Sequence, residues 1–321
     1  MKKRVEYLDV ARGVDLIFMI MFHCLGETIL TFHHFEASTV LQVFLFVSGY
    51  FTSRFVIGKN IKKLVLPYFL TMILVRFVWV IRLGETINTT MLKQLFYQMV
   101  LGHTVDEFWP GQSFYVGIIW FLPLFFATKL IYSIVSELVS SYVIKGIVML
   151  TFAFIGIYIG NLGVRLPWSL DVVLAAMIFV YLGELSKSFE GNFFDQIATK
   201  YPIWGLLLAL QIAVVRCLGF SELATRNYPG GIMYIVPSML SLYTILTFSR
   251  WVYHYIPRFC GVIQIIGKQS FAIMILHILD KSCITYPVGM NIYLQTFIEL
   301  CVAILPVLIY EGVINKVKHE R

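Results

Sequence analysis

Charge is scarce in this chain. Asp, Glu, Lys and Arg make up 13% of its residues, where a soluble domain carries about a quarter. Hydrophobic residues make up 59%, and the mean hydropathy is +0.81. That balance excludes a large soluble domain and calls for lipid as the surrounding medium. Internal repeats, low-complexity tracts and polar linkers are also lacking, so residues 1–321 are expected to form a single membrane domain. The five cysteines lie far apart and form no CxxC pair. A disulfide framework is thereby excluded, no metal site is indicated, and buried, inert thiols are expected. Nucleic acid is excluded as a partner too: the net charge of +7 is spread among short loops, as positive-inside topology requires, and is not gathered on one face.

Long apolar runs are what the chain has in abundance. A spanning helix needs about 20 mostly apolar residues, and about ten such runs occur. They centre near Phe22, Phe46, Ile73, Phe121, Phe154, Ile178, Ala209, Ser241, Ala272 and Ile304. The expected fold class is all-α, a polytopic membrane helix bundle of about ten transmembrane helices. The opening MKKR resembles a signal-peptide n-region. The run behind it is too long for an h-region, holds His23 and Glu27, and has no small-residue cleavage site, so it reads as a retained first helix. Basic residues at the N-terminus, around Lys59, Lys62 and Lys63, from Arg250 to Arg258, and in the tail all fall on one side when the spans are even in number. Both termini are therefore expected in the cytoplasm. The longest connection on the other side, Gly84 to Gln112, carries Glu85, His103, Asp106, Glu107 and Trp109, polar enough to fold over an opening.

Arg12 and His23 lie eleven residues apart in the first run. On a helix that spacing puts both side chains within about 20° of one face and about 16 Å apart along the axis. Ionisable groups deep in a bilayer usually face a bundle interior or a watery cavity. His23 has two readings: a packing histidine bonded to a neighbouring helix, or a general base whose ordinary pKa suits taking a proton from a hydroxyl. Glu27, four residues on, is placed to orient the ring if the helix continues. Arg12 by itself is an interface anchor, with Asp9 as an available ion-pair partner. Lys59, Lys62 and Lys63 fix topology singly; together they make a cytoplasmic patch suited to phosphates. Arg76 lies too deep in the third span to return easily to the cytoplasmic face. It either reaches the outer interface or lines a cavity. Ser48-Gly49 suits a close helix contact. Trp120 is belt, core or substrate platform, and Pro123 is expected to kink or open its helix. His277, with Asp280 three residues on, reads first as a packing histidine.

These pieces follow an order that resembles the acyltransferase-3 family of integral membrane O-acyltransferases, which includes fucose 4-O-acetylase-like proteins. Arg12 and His23 match its R-x10-H element, and FLFVSGYF around Ser48 is similar to its second-helix F-x-x-SG stretch. KNIKKLVLPYF resembles its basic segment leading into L-x-PY, IIWFLPLFF its W-F-L element, and GKQSFAIMILH its late G-x-x-S…H segment. The five elements span nearly the whole chain.

The resemblance implies a membrane domain of about ten helices that moves an acetyl group from acetyl-CoA onto a hydroxyl of an envelope carbohydrate or its lipid-linked precursor. It implies His23 as catalytic base and Arg12 as part of the site. Arg12, Lys59, Lys62 and Lys63 are then expected to bind the donor. Glu27, Arg76, Trp120 and His277 are the substrate-side candidates, no metal is expected, and the location is the inner membrane, crossed many times. Where the family often has two arginines in the basic segment, this chain has lysines, which bind phosphate as point charges without the bidentate fork. Two rivals stand beside this reading. One is a transport or uptake module on the same scaffold, for which broken helices and Arg76 would suit a solute path. The other is a scaffold subunit of a polysaccharide assembly complex.

Overall fold

The computed structural model describes residues 5–39, 41–52, 55–84, 86–102, 116–189 and 193–319. Among them the regular elements are all helical, apart from one isolated bridge between Glu222 and Asn227. The first helices are α1 (Glu6–Leu25), α2 (Leu30–Ala37), α3 (Gln42–Tyr50), α4 (Ile57–Asn60), α5 (Leu66–Leu83) and α6 (Thr89–Leu101). Next come α7 (Phe121–Leu138), α8 (Tyr142–Asn161), α9 (Leu170–Ser188), α10 (Phe193–Lys200) and α11 (Ile203–Leu218). The last are α12 (Ile235–Tyr255), α13 (Pro257–Lys268), α14 (Ser270–Cys283) and α15 (Ile292–His319).

Six helical stretches among the described residues are long and apolar enough to cross a membrane. They are Ile57–Arg82, Gly117–Leu138, Tyr142–Asn161, Pro167–Ser188, Gly231–Tyr255 and Ile292–Ile314. The chain is thus a polytopic membrane protein. A seventh crossing arises if α13 and the first part of α14 count as one span, although they meet at 70°. Ile203–Leu218 is apolar but shorter. Two expected runs fall short for plain reasons. The helix holding Phe22 carries Glu6, Asp9, Arg12 and Asp15, and the one holding Phe46 has only nine residues, about 13 Å of rise. Large apolar side chains stand outward on the long helices, such as Leu70, Leu74, Phe77 and Ile81 on α5 and Phe297 and Ile309 on α15. Lipid accepts that surface where water would not.

Several local expectations change. The connection from Gly84 to Gln112 is not all loop, because α6 lies within it; Asn88 caps that helix by accepting from the Met91 N–H at 2.8 Å. His103, Asp106, Glu107 and Trp109 lie outside the described residues, as does Glu85. Gly84 ends α5 with φ +63°, a left-handed turn where glycine meets no Cβ penalty. Pro123 does not kink a helix. It sits third in α7, directly after the 3-10 turn Gly117–Trp120, in the first turn, where proline is tolerated far better than in a helix interior. Arg250 is not in a loop either: it belongs to α12, pairs with Asp195 at 2.5 Å and stands 4.2 Å from the Tyr7 ring centre.

The chain forms two compact units. The first takes residues 1–44, 190–220 and 235–321. In it α1 packs against α12, α13, α14 and α15. Two glycines permit the closest crossing: a Cβ on Gly13 would strike the Ile263 carbonyl, and one on Gly267 would strike the Asp9 carbonyl. The second unit takes residues 45–189 and 221–234. There a Cβ on Gly49 would meet the Val180 carbonyl and one on Gly183 the Phe46 carbonyl, so α3 and α9 touch backbone to backbone. This is the close contact expected of Ser48-Gly49. Enclosed ion pairs lock the rest. Arg226 Nε donates to Asp171 at 2.9 Å with both side chains 1% exposed or less, and Lys145 meets Glu184 at 2.9 Å.

Candidate functional site

Arg12 and His23 share one uninterrupted helix, as their spacing predicts. Arg12 pairs with Asp9, one turn earlier, and keeps 24% of its side chain exposed. The helix stops just past His23: after Leu25 the backbone tightens into the 3-10 turn Gly26–Ile29. Glu27 therefore does not continue the His23 face of α1, and its side chain lies outside the described residues. The turn falls at Gly26, whose helix propensity is poor.

A different residue meets the imidazole. The His23 and His277 rings stack with centroids 5.8 Å apart and planes 25° apart, and Phe22 contacts His23 edge-on at 5.4 Å. His277 is fully buried and comes from α14. The 70° bend between α13 and α14, centred on Gln269, turns that helix toward the end of α1. Behind His277 lie two groups that sequence reasoning did not single out. Glu299 of α15 is 1% exposed and lies 4.0 Å from His277 Nδ1. Cys24 donates to Glu299 Oε2 at 2.6 Å. Their positions in the chain carried no signal, since no motif or spacing links Cys24 or Glu299 to His277.

In the second unit a cavity of about 210 Å³ opens beside Lys59, Lys63 and Lys129. Ser48, Thr52 and Tyr132 add hydroxyls to its wall. Lys59 and Lys63 flank the start of a five-residue π-helical stretch, Ile61–Val65, a wide turn that recurs at functional sites. Lys62 does not line the cavity, so the expected three-lysine patch divides there. Lys129, from α7, takes the third place; in sequence it is a lone cation inside an apolar run. Three ammonium groups around one cavity suit an anion with several phosphate oxygens.

Arg76 is partly buried on α5, and its neighbours one turn either side, Met72 and Val80, are buried at 7% and 9% exposure. That is the inward face of the helix; Leu74 and Phe77 point outward. Trp120 is 8% exposed at the junction of the 3-10 turn with α7, packed in the interior of its unit and not displayed as a belt residue. Neither side chain lines the lysine cavity.

Nothing matches among curated proteins or among solved structures. The family model described as an acyltransferase domain matches residues 5–311, taking in α1, the lysine cavity and the His23–His277 contact. With nearly its whole length matched, this polytopic membrane chain belongs to the acyltransferase-3 family.

Proposed function

We propose that the protein is an O-acetyltransferase of the inner membrane, with both termini in the cytoplasm, that moves the acetyl group of acetyl-CoA to a hydroxyl of an envelope glycan or a lipid-linked sugar. The observation that carries this reading is His23: a partly exposed imidazole, stacked on a buried histidine, on one helix with Arg12 in an acyltransferase-family chain. A ring nitrogen of His23 takes the proton of the acceptor hydroxyl as its oxygen attacks the thioester carbonyl. The tetrahedral intermediate collapses with cleavage of the carbon–sulfur bond. The acetyl ester remains on the sugar, and the departing CoA thiolate receives the proton from His23. Stacking on His277 holds the base at a fixed angle, a positioning role.

Lys59, Lys63 and Lys129 bind the phosphates of the donor, and Arg12 adds a further donor contact. Lys62 serves orientation in the membrane. Arg76 and Trp120 remain candidates for the acceptor side. Mass spectrometry of envelope glycans from cells with and without the protein tests the reading. An acetyl ester present only in the first supports it. Identical glycans, together with protein-dependent movement of a solute that consumes no acetyl-CoA, would favour transport on this scaffold.

A further inference from the structure

Three side chains with metal-binding donor atoms meet inside the first unit, and two of them have no part in the acyl-transfer reading. His277 and Asp280 lie three residues apart on α14, hence on one face of it, and Glu299 comes from the adjacent α15. They are 0%, 3% and 1% exposed, and one donor atom from each lies within 4.8 Å of the other two. A triangle with sides of that length has its centre about 2.8 Å from each corner, against about 2.0–2.2 Å for nitrogen or oxygen on zinc. Each ligand needs to move inward by only about 0.6 Å, which a small side-chain rotation supplies.

The donor chemistry fits as well as the spacing. Two carboxyl groups enclosed together are costly unless a proton or a cation joins them. One imidazole with two carboxylates offers a mixed set whose charge a dication balances. A fourth donor adjoins the triangle: Cys24 Sγ lies 2.6 Å from Glu299 Oε2, outside the three-residue cluster, and would swing inward to reach the ion. Gln295 Nε2 donates to the other oxygen, Oε1, at 3.1 Å, the kind of outer contact that orients a ligating carboxylate. Nitrogen, oxygen and sulfur donors in one four-membered set suit zinc better than the harder magnesium or calcium.

We propose that His277, Asp280 and Glu299, with Cys24 as fourth donor, form a binding site for one divalent cation of the zinc class. The ion would tie the end of α1 to α14 and α15. Through the His23–His277 stack it would also fix the angle of the His23 ring.

The test uses the full-length protein in detergent, free of any polyhistidine tag, stripped with chelator, reloaded with zinc and desalted. About one zinc per chain is expected by mass spectrometry of the metal, and Asp280→Asn and Glu299→Gln should each weaken binding by about tenfold or more. Cobalt(II) titration gives a second reading that needs no variant. Intense visible bands of a four-coordinate ion, with a sulfur-to-cobalt transition that Cys24→Ser removes, support the site. Zinc content near zero in the wild type overturns the proposal. So does equal zinc in variants that elute like wild type, or a weak six-coordinate cobalt spectrum. These measurements read metal and not turnover, so they stand or fall apart from acyl transfer.

Discussion

Lysine where the family often has arginine sets what the cavity of the second unit can do. Each ammonium is a compact, hydrated charge with rotatable donors, so affinity for a phosphate comes from the number of charges gathered and not from one bidentate contact. Joint replacement of Lys59, Lys63 and Lys129 by alanine should raise the acetyl-CoA concentration needed for half-maximal transfer by about tenfold or more. Lys62→Ala should leave it near wild type, because that side chain does not line the cavity. Equal effects from Lys62→Ala and the triple replacement would return all four lysines to a topological role. Arg76 makes a second prediction at this scale. With Met72 and Val80 buried on the same face, Arg76→Leu should lower activity without raising thermal stability. A fully active, stabilised leucine variant would place the guanidinium outside the site.

The tightest helix crossings fall where a side chain has been reduced to hydrogen. At Gly267 the obstacle to a Cβ is the Asp9 backbone carbonyl of α1, which cannot rotate away as a side chain would. Gly267→Ala should therefore cost about 1–3 kcal/mol, visible as a lower melting temperature in detergent, and an unchanged midpoint would refute the tight α1–α13 crossing. The Asp171–Arg226 pair makes the opposite kind of contact. Removing either partner should destabilise by about 3–5 kcal/mol, because the survivor stays buried, while replacing both with apolar residues should restore much of the loss. Additive single and double losses in the same melting assay would deny the pairing.

Much at this level was legible beforehand. The length of the apolar runs marked the long helices, and Ser48-Gly49 marked a close contact. The stop after His23 was not, since it depends on Gly26 ending a helix whose apolar pattern runs on. The 70° bend at Gln269 was equally hidden: the apolar residues on both sides of Lys268, Gln269 and Ser270 read together as one span centred on Ala272. Pro123 misled for a related reason, because sequence does not say on which turn of a helix a proline falls.

For the whole molecule, composition alone separates a membrane protein from a soluble one, and R-x10-H with four further elements leads to the family. What composition does not reach is the company each polar residue keeps. His277 and Glu299 lie on successive helices with no motif linking them, and only the fold brings them together beside His23. Lys129 stands seventy residues beyond Lys59 in the chain, yet both line one cavity. Orientation is a separate expectation, resting on the distribution of Lys and Arg. Single cysteines added beside the two termini of a variant lacking the native cysteines should resist an impermeant thiol reagent in intact cells and react after lysis. Labelling of either terminus in intact cells would invert or break the assigned topology.

The central claim is that His23 is the base of an acetyl transfer, and its most direct measurement is label transfer from acetyl-CoA in proteoliposomes supplied with an acceptor glycan extract. Wild-type protein should move label from the donor to the glycan fraction. His23→Ala, inserted and folded to the same extent, should do so about 10²–10⁴ times more slowly. Transfer by the alanine variant at the wild-type rate would contradict the account and leave His23 as a packing residue.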